Sequence, residues 1–368
     1  MIHSVEFHLE DAIQVCTSSQ SGLPPIEAGL ALQHNREDLM SVSTLKRMMV
    51  AGVVVVSMLS GTVKAESWLK PASGHWFEAF LPTVGEGRVL VDVSAGASQA
   101  TAVGTDPTLS EKLDLPTPAN QKLPSLFLVG DSTVRNGRGD GAHNQMGWGE
   151  PIVAYFNTSK INVVNRAIGG RSSRTYITEG HWAETLALIK PGDVVLIQFG
   201  HNDGGLIDDP ERARASLPGV GDETKEIDNP ILKKHETVHT FGWYLTQYVN
   251  DTRAKGATPI VCSLIPRKIW KDGKIVRGTA SYGGWAREVA EKQHIGFIDL
   301  NEITARKYDA LGEAAVEPLF GDEHTHTTLA GAIINAESVV SGLKALPNDP
   351  LSLYFSARGE AILPFLAN

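Results

Sequence analysis

The chain has 368 residues, 42% of them hydrophobic and 20% charged, a composition that can bury a sizeable core. Its formal net charge of −9 leaves no basic footprint for nucleic acid. Two cysteines, Cys16 and Cys262, are too few for a disulfide framework or a zinc-type cluster.

Lys46-Arg47, the apolar run at residues 48–59 and the small-residue site Val63-Lys64-Ala65 read as a signal peptide. Residues 40–65 form it, Met40 is the expected true start, and residues 1–39 are a misassigned upstream segment. The run is shorter than the ~20 residues of a spanning helix. Cleavage after Ala65 is therefore expected to leave a secreted or periplasmic protein with no membrane attachment. Residues 66–122 read as an N-terminal extension and linker: residues 87–93 alternate like a strand, and residues 94–122 are rich in Ala, Gly, Thr, Ser and Pro.

Apolar runs then recur at residues 123–129, 161–164, 193–199, 258–265 and 295–300. Helical patterns fall at residues 150–156, 181–189, 238–255, 282–292 and 328–346. The alternation predicts an α/β domain over residues 123–346, with a parallel sheet covered on both faces, followed by a C-terminal tail at residues 347–368. Cys262, inside the fourth run, is expected to be a buried small hydrophobe.

Ligands in such sheets bind at the carboxyl ends of the strands. Asp131-Ser132 follows the first run, Gly169-Gly170 the second and His201-Asn202-Asp203 the third, and residues 322–326 precede the last helical pattern. Topology alone brings these segments to one edge. A serine nucleophile needs an adjacent base, and Gly130 allows the tight turn that presents the Ser132 hydroxyl. An acid a few residues before His326 is placed to orient its ring. The backbone N–H of Gly170 and the Asn202 amide are candidate donors to a developing oxyanion. His324 and His326 lack a third zinc ligand, and no phosphate-binding loop is present. No metal or cofactor is expected.

Together these segments resemble the SGNH (GDSL) hydrolase superfamily in order and spacing. Residues 130–135, the Gly-Gly-Arg-Ser turn at 169–172, the Gln-Phe-Gly-His-Asn-Asp-Gly-Gly run at 198–205 and His-Thr-His-Thr at 324–327 look like the rhamnogalacturonan acetylesterases, carbohydrate esterase family 12. Residues 236–243 and 266–270 do so as well. The resemblance covers about residues 123–345. It implies a flavodoxin-like three-layer α/β/α fold, metal-free ester hydrolysis and removal of acetyl groups from plant cell-wall polysaccharide. By that match Ser132 is the nucleophile, His326 the base, and Ser132, Gly170 and Asn202 the oxyanion hole. The family places aspartate three residues before the histidine. Here that position is Glu323, with Asp322 one residue earlier, so either is a candidate acid and the ungapped register favours Glu323.

Arg171, Arg174 and Arg267, with Lys268, are candidates to grip a galacturonate carboxylate, which favours pectic rhamnogalacturonan as the substrate. Trp148 and Trp270, with Trp243, are candidates for stacking on sugar faces. Two alternatives stay open. One is another SGNH activity: acetylxylan esterase, lipase or thioesterase. The other is a non-catalytic carbohydrate-binding protein with an esterase fold.

Overall fold

The computed structural model describes residues 114–367 and, upstream of them, four short strands. Those strands pair antiparallel, Ala28–Leu32 with Ala65–Leu69 and Phe77–Glu78 with Leu90–Val91. They belong to a unit spanning residues 1–103, separate from the unit at residues 104–368. The expected signal peptide at residues 40–65, apart from Ala65, and Cys16 lie outside the described residues.

The larger unit is built on a five-stranded sheet. Its strands are β1 (Ser125–Gly130), β2 (Asn162–Asn165), β3 (Val194–Gln198), β4 (Thr258–Cys262) and β5 (Gly296–Ile298). Every neighbouring pair is parallel, and the order across the sheet is β2-β1-β3-β4-β5. These are the five apolar runs of the sequence. They form strands because each is short, largely apolar and bounded by turn residues, with β2 alone closed at both ends by a buried asparagine.

The α-helices of six or more residues among the described residues are α1 (Ser173–Thr178), α2 (His181–Leu186), α3 (Phe241–Ala254), α4 (Tyr282–Gln293), α5 (Leu300–Leu311) and α6 (Leu329–Lys344). Side chains alternate across each strand and divide the core into two layers. Leu126, Leu128, Leu196, Ile260 and Ile298 pack with Ile303 of α5 and with Val339, Val340 and Leu343 of α6. Phe127, Val129, Val195, Ile197 and Val261 pack with Tyr176, Trp182, Leu245, Tyr248 and Val289 from α1 to α4. The result is the expected three-layer α/β/α fold. Leu351 and Phe355 join the first layer, and Leu115 joins the second.

Some local features differ from the sequence reading. Residues 151–155 form a 3-10 helix, with proline in its first turn. The pattern at residues 238–255 starts too early: Val238 and His239 end a hairpin of Thr224–Asn229 with Lys234–His239, and the Thr240 hydroxyl caps α3 by accepting the Trp243 N–H. The fifth run stops at Ile298, where the Asp299 carboxylate accepts the Glu302 N–H and opens α5. Cys262 is buried, and burial pushes its thiol far up, which keeps it protonated.

Candidate active site

Strand β1 is an interior strand, paired with β2 on one side and β3 on the other, and delivers Ser132 at its carboxyl end. A β-carbon on Gly130 would stand 2.5 Å from both the Gln198 carbonyl oxygen and Val134 Cγ2, so only glycine fits where the chain leaves the sheet. The buried Asp131 closes the turn. Its Oδ1 accepts the Thr133 N–H at 2.9 Å and the Thr133 hydroxyl at 2.7 Å, and its carbonyl accepts the N–H groups of Val134 and Arg135. Gln198, at the end of β3, donates to the Thr133 hydroxyl at 2.7 Å and accepts from the Trp148 indole at 2.8 Å.

His326 sits on the loop before α6. Gly321 N–H bonds the His326 carbonyl at 2.8 Å, and Phe320 bridges Thr327. The Ser132 hydroxyl lies 2.8 Å from His326 Nε2, and Asp322 Oδ2 lies 2.6 Å from His326 Nδ1. A carboxylate only accepts, so Nδ1 carries the proton on the neutral ring and the Nε2 lone pair faces the serine. The other oxygen of Asp322 accepts the N–H groups of His324, Thr325 and His326 at 3.1, 2.7 and 2.9 Å. Burial pushes this carboxyl up, but the Thr325 and His326 N–H groups and the His326 ring outweigh it and hold it below the usual range.

This corrects the register argument for Glu323. The Glu323 side chain is 93% exposed and lies 3.8 Å from His324 Nδ1, away from the His326 ring that Asp322 contacts. Adjacent residues of the loop point in different directions, and the tight turn directs Asp322 at the ring.

The turn after β2 passes directly against the serine: a β-carbon on Gly169 would stand 3.5 Å from Ser132 Cβ. Gly170 has φ +75°, a conformation that favours glycine. Its carbonyl accepts from Arg214 Nη1 at 3.2 Å. The buried Asn202 amide donates to the Arg171 carbonyl at 3.0 Å, which leaves its second N–H available. Ser132, Gly170, Asn202, His326 and Asp322 therefore converge on one edge.

The expected substrate-binding residues fare differently. Arg174 is fully buried and grips Glu236 bidentately, Nε at 2.7 Å and Nη2 at 2.8 Å, while Nη1 donates to the Ile207 and Ala215 carbonyls. Arg171 is buried and paired with Glu179. Trp148 is a core residue with its indole N–H satisfied by Gln198. These three correct the expectation of a ligand-facing position, because each side chain is already consumed inside the fold. Lys268 is likewise paired with Glu317 at 2.7 Å. Arg267 is half-buried and has no acidic partner among the described residues, and its loop is joined to the histidine loop by the Lys268 N–H bond to the His324 carbonyl at 2.8 Å. Trp270 is half-buried, with an unpartnered indole N–H. Trp243 is half-buried and stacks on His239 at 3.7 Å.

Sequence reasoning missed Arg214, which sits in a polar loop with no periodic signal. It also left His201 and Asp203 unassigned. Burial holds the His201 ring down to about 4, against the pull of Asp131, so it is neutral at pH 7. Both His201 ring nitrogens and Asp131 Oδ2 are buried without a hydrogen-bond partner. Among the described residues, no group of three or more His, Cys, Asp or Glu side chains is arranged to hold a metal.

A parallel sheet with serine, histidine and carboxylate in sequential contact at its carboxyl edge is the architecture of an α/β hydrolytic enzyme. The chain belongs to the GDSL-like lipase/acylhydrolase family, which it matches over residues 128–332, and it is a carboxylic ester hydrolase. It is 32% identical to a rhamnogalacturonan acetylesterase of Emericella nidulans (strain FGSC A4) over 220 residues, 60% of this chain and 84% of that protein. It is also 32% identical to a probable rhamnogalacturonan acetylesterase of Bacillus subtilis (strain 168) over 226 residues, 60% of this chain and 93% of that one. Among solved structures, a Bacillus subtilis protein, YXIM, aligns with a TM-score of 0.48 and 24% identity, over 60% of this chain and 56% of its own.

Proposed function

We propose that this enzyme is an exported acetylesterase that removes acetyl groups from pectic rhamnogalacturonan through an acetyl-enzyme on Ser132. The observation that carries the reading is the sequence of contacts Ser132–His326–Asp322, at 2.8 and 2.6 Å, beside the Gly170 turn and the Asn202 amide. In this mechanism His326 Nε2 takes the Ser132 proton as the hydroxyl oxygen attacks the acetyl carbonyl. The tetrahedral oxyanion rests on the N–H groups of Ser132 and Gly170 and on the free N–H of Asn202. His326 returns the proton to the departing sugar oxygen, which leaves acetyl on the serine. Water, deprotonated by the same ring, then releases acetate and restores the hydroxyl. Asp322 stays ionised throughout and balances the transient imidazolium.

The pectic substrate is supported by the names of the relatives and by Arg267. Of the cations expected at this edge, Arg171, Arg174 and Lys268 are neutralised by Glu179, Glu236 and Glu317, which leaves Arg267 to meet a galacturonate carboxylate. Trp270, three residues on, packs against the cluster of Ile275, Tyr308 and Phe320 and stays partly exposed, which makes it the aromatic candidate to meet the sugar. Export rests on the charged, apolar and small-residue order of residues 40–65.

The test is acetate release across acetylated rhamnogalacturonan, homogalacturonan and xylan, together with fluorophosphonate labelling of Ser132. Fastest release from rhamnogalacturonan, with label on Ser132, is the expected result. Equal or faster release from xylan overturns the pectic assignment, and an unlabelled Ser132 overturns the serine mechanism.

A further inference from the structure

Asp203 is fully buried beside Asn202, and no step of the acyl transfer uses it. Its Oδ1 accepts the Ser173 N–H at 3.1 Å, the Ser173 hydroxyl, and the Ser216 hydroxyl at 3.2 Å. Its carbonyl accepts the Ser216 N–H at 3.0 Å. Ser173 is the first residue of α1, three positions after Gly170, and its own carbonyl accepts the Tyr248 hydroxyl at 2.8 Å. The same two segments are tied at further points: Asn202 to the Arg171 carbonyl, Arg214 to the Gly170 carbonyl, and Arg174 to the Ile207 and Ala215 carbonyls. Residues 170–174 and 202–216 are thus sewn together by side chains, with Asp203 at the centre of the seam.

We infer that Asp203 is a positioning residue of the oxyanion site, which acts through Ser173 to hold the Gly170 turn and the Arg171 carbonyl against the Asn202 amide. Oxyanion donors contribute most when they are fixed before charge develops, and a shift of ~1 Å is enough to cost ~10²-fold in rate. The group is expensive to keep. Burial, reinforced by the charge of Asp131, pushes the Asp203 carboxyl up to about 7, even though Ser173 and Ser216 donate to it. A buried ionisable group is a poor way to gain stability, since apolar replacements of similar volume are often neutral or better. Its value therefore lies in the acceptor it places at Oδ1.

The inference rests on the serine mechanism proposed above, and the experiment separates the two. Asp203→Ala, Ser173→Ala and Asp203→Asn are made in the wild-type and the Asn202→Ala enzymes, with kcat and KM measured on one acetyl ester. Asp203→Ala and Ser173→Ala are expected to lower kcat ~10-fold or more with little change in KM. Asp203→Asn keeps an acceptor at Oδ1 and recovers most of that loss. In the Asn202→Ala background the same substitutions add little, because the group they position is gone. Should Asp203→Ala fail to fold, Ser173→Ala carries the comparison. Wild-type kcat in Asp203→Ala or Ser173→Ala, or losses that multiply fully with that of Asn202→Ala, overturns the inference. Fluorophosphonate labelling of wild-type Ser132 tells which reading has failed: with label present only the Asp203 role falls, and without it the serine mechanism falls too.

Discussion

Asp322 Oδ2 faces His326 Nδ1 across 2.6 Å, although the two residues are only four apart in the chain. The contact is made inside one tight turn, whose N–H groups converge on the other oxygen of the same carboxylate. One side chain therefore shapes the loop and orients the ring.

Asp322→Asn is expected to lower kcat by on the order of 10³-fold or more, because the new amide offers an N–H to Nδ1 and forces the wrong tautomer. Glu323→Gln is expected to be nearly silent, since the Glu323 side chain is 93% exposed. Turnover numbers for the pair decide it. A larger loss in Glu323→Gln would mean that the loop rearranges in the working enzyme.

Ser132→Ala removes the hydroxyl that carries the acyl group, so turnover should fall by several orders of magnitude with the fold intact. Asn202→Ala deletes one oxyanion donor and should cost ~10²–10³ in kcat. Steady-state kinetics on an acetyl ester, with circular dichroism as a fold control, checks both.

Arg174 and Arg267 should separate stability from binding. Arg174→Ala leaves Glu236 buried without its partner and is expected to cost about 3–5 kcal/mol of stability, measured by urea unfolding. Arg267→Ala should leave the unfolding curve in place and raise KM for uronate-containing substrates alone. A stability loss in Arg267→Ala with no change in KM would make it a structural residue.

Acid should loosen the Arg277 cluster. Arg277 Nη2 lies 2.8 Å from Asp309, and Arg277 Nε lies 3.0 Å from Glu302. Burial pushes both carboxyls up, but hydrogen bonds from Arg306 and then Arg277 at Glu302, and from Arg277 and the Ile275 N–H at Asp309, hold both below their ordinary values. The unfolded chain then binds more protons, so stability rises with pH across this window. The contribution is complete above the ordinary carboxylate range of ~4 and is lost as pH falls through the lower folded values. Urea midpoints from pH 6 to pH 3 should fall less steeply in Arg277→Gln than in the wild type.

The sheet was legible because its strands are short apolar runs, each followed by turn residues, and a parallel sheet places those turns on one edge. Ser132, Gly170, Asn202 and His326 stand out as candidates for that reason. The hairpin at residues 224–239 was not. Its strands, Thr-Lys-Glu-Ile-Asp-Asn and Lys-His-Glu-Thr-Val-His, carry few apolar positions and depend on the buried Arg174–Glu236 pair from a distant helix. Arg171 and Arg174 were misread for the related reason that spacing shows which edge a cation reaches, while its partner is fixed by the tertiary fold. The choice between Asp322 and Glu323 turned on loop conformation, which register does not encode.

Strand β1 holds Ser132 between two neighbours, β2 and β3, in the interior of the sheet, whereas His326 hangs from a loop held by hydrogen bonds to Lys268, Met146 and its own Asp322 turn. The two reacting atoms thus belong to regions of unequal local stability. On warming, the histidine loop should open while the sheet persists. Esterase activity would then fade at a temperature below the cooperative melting of the protein and return on cooling. The heat limit of catalysis would be set by a few loop hydrogen bonds, and lengthening the life of the enzyme at high temperature would mean bracing residues 320–327 without adding to the core.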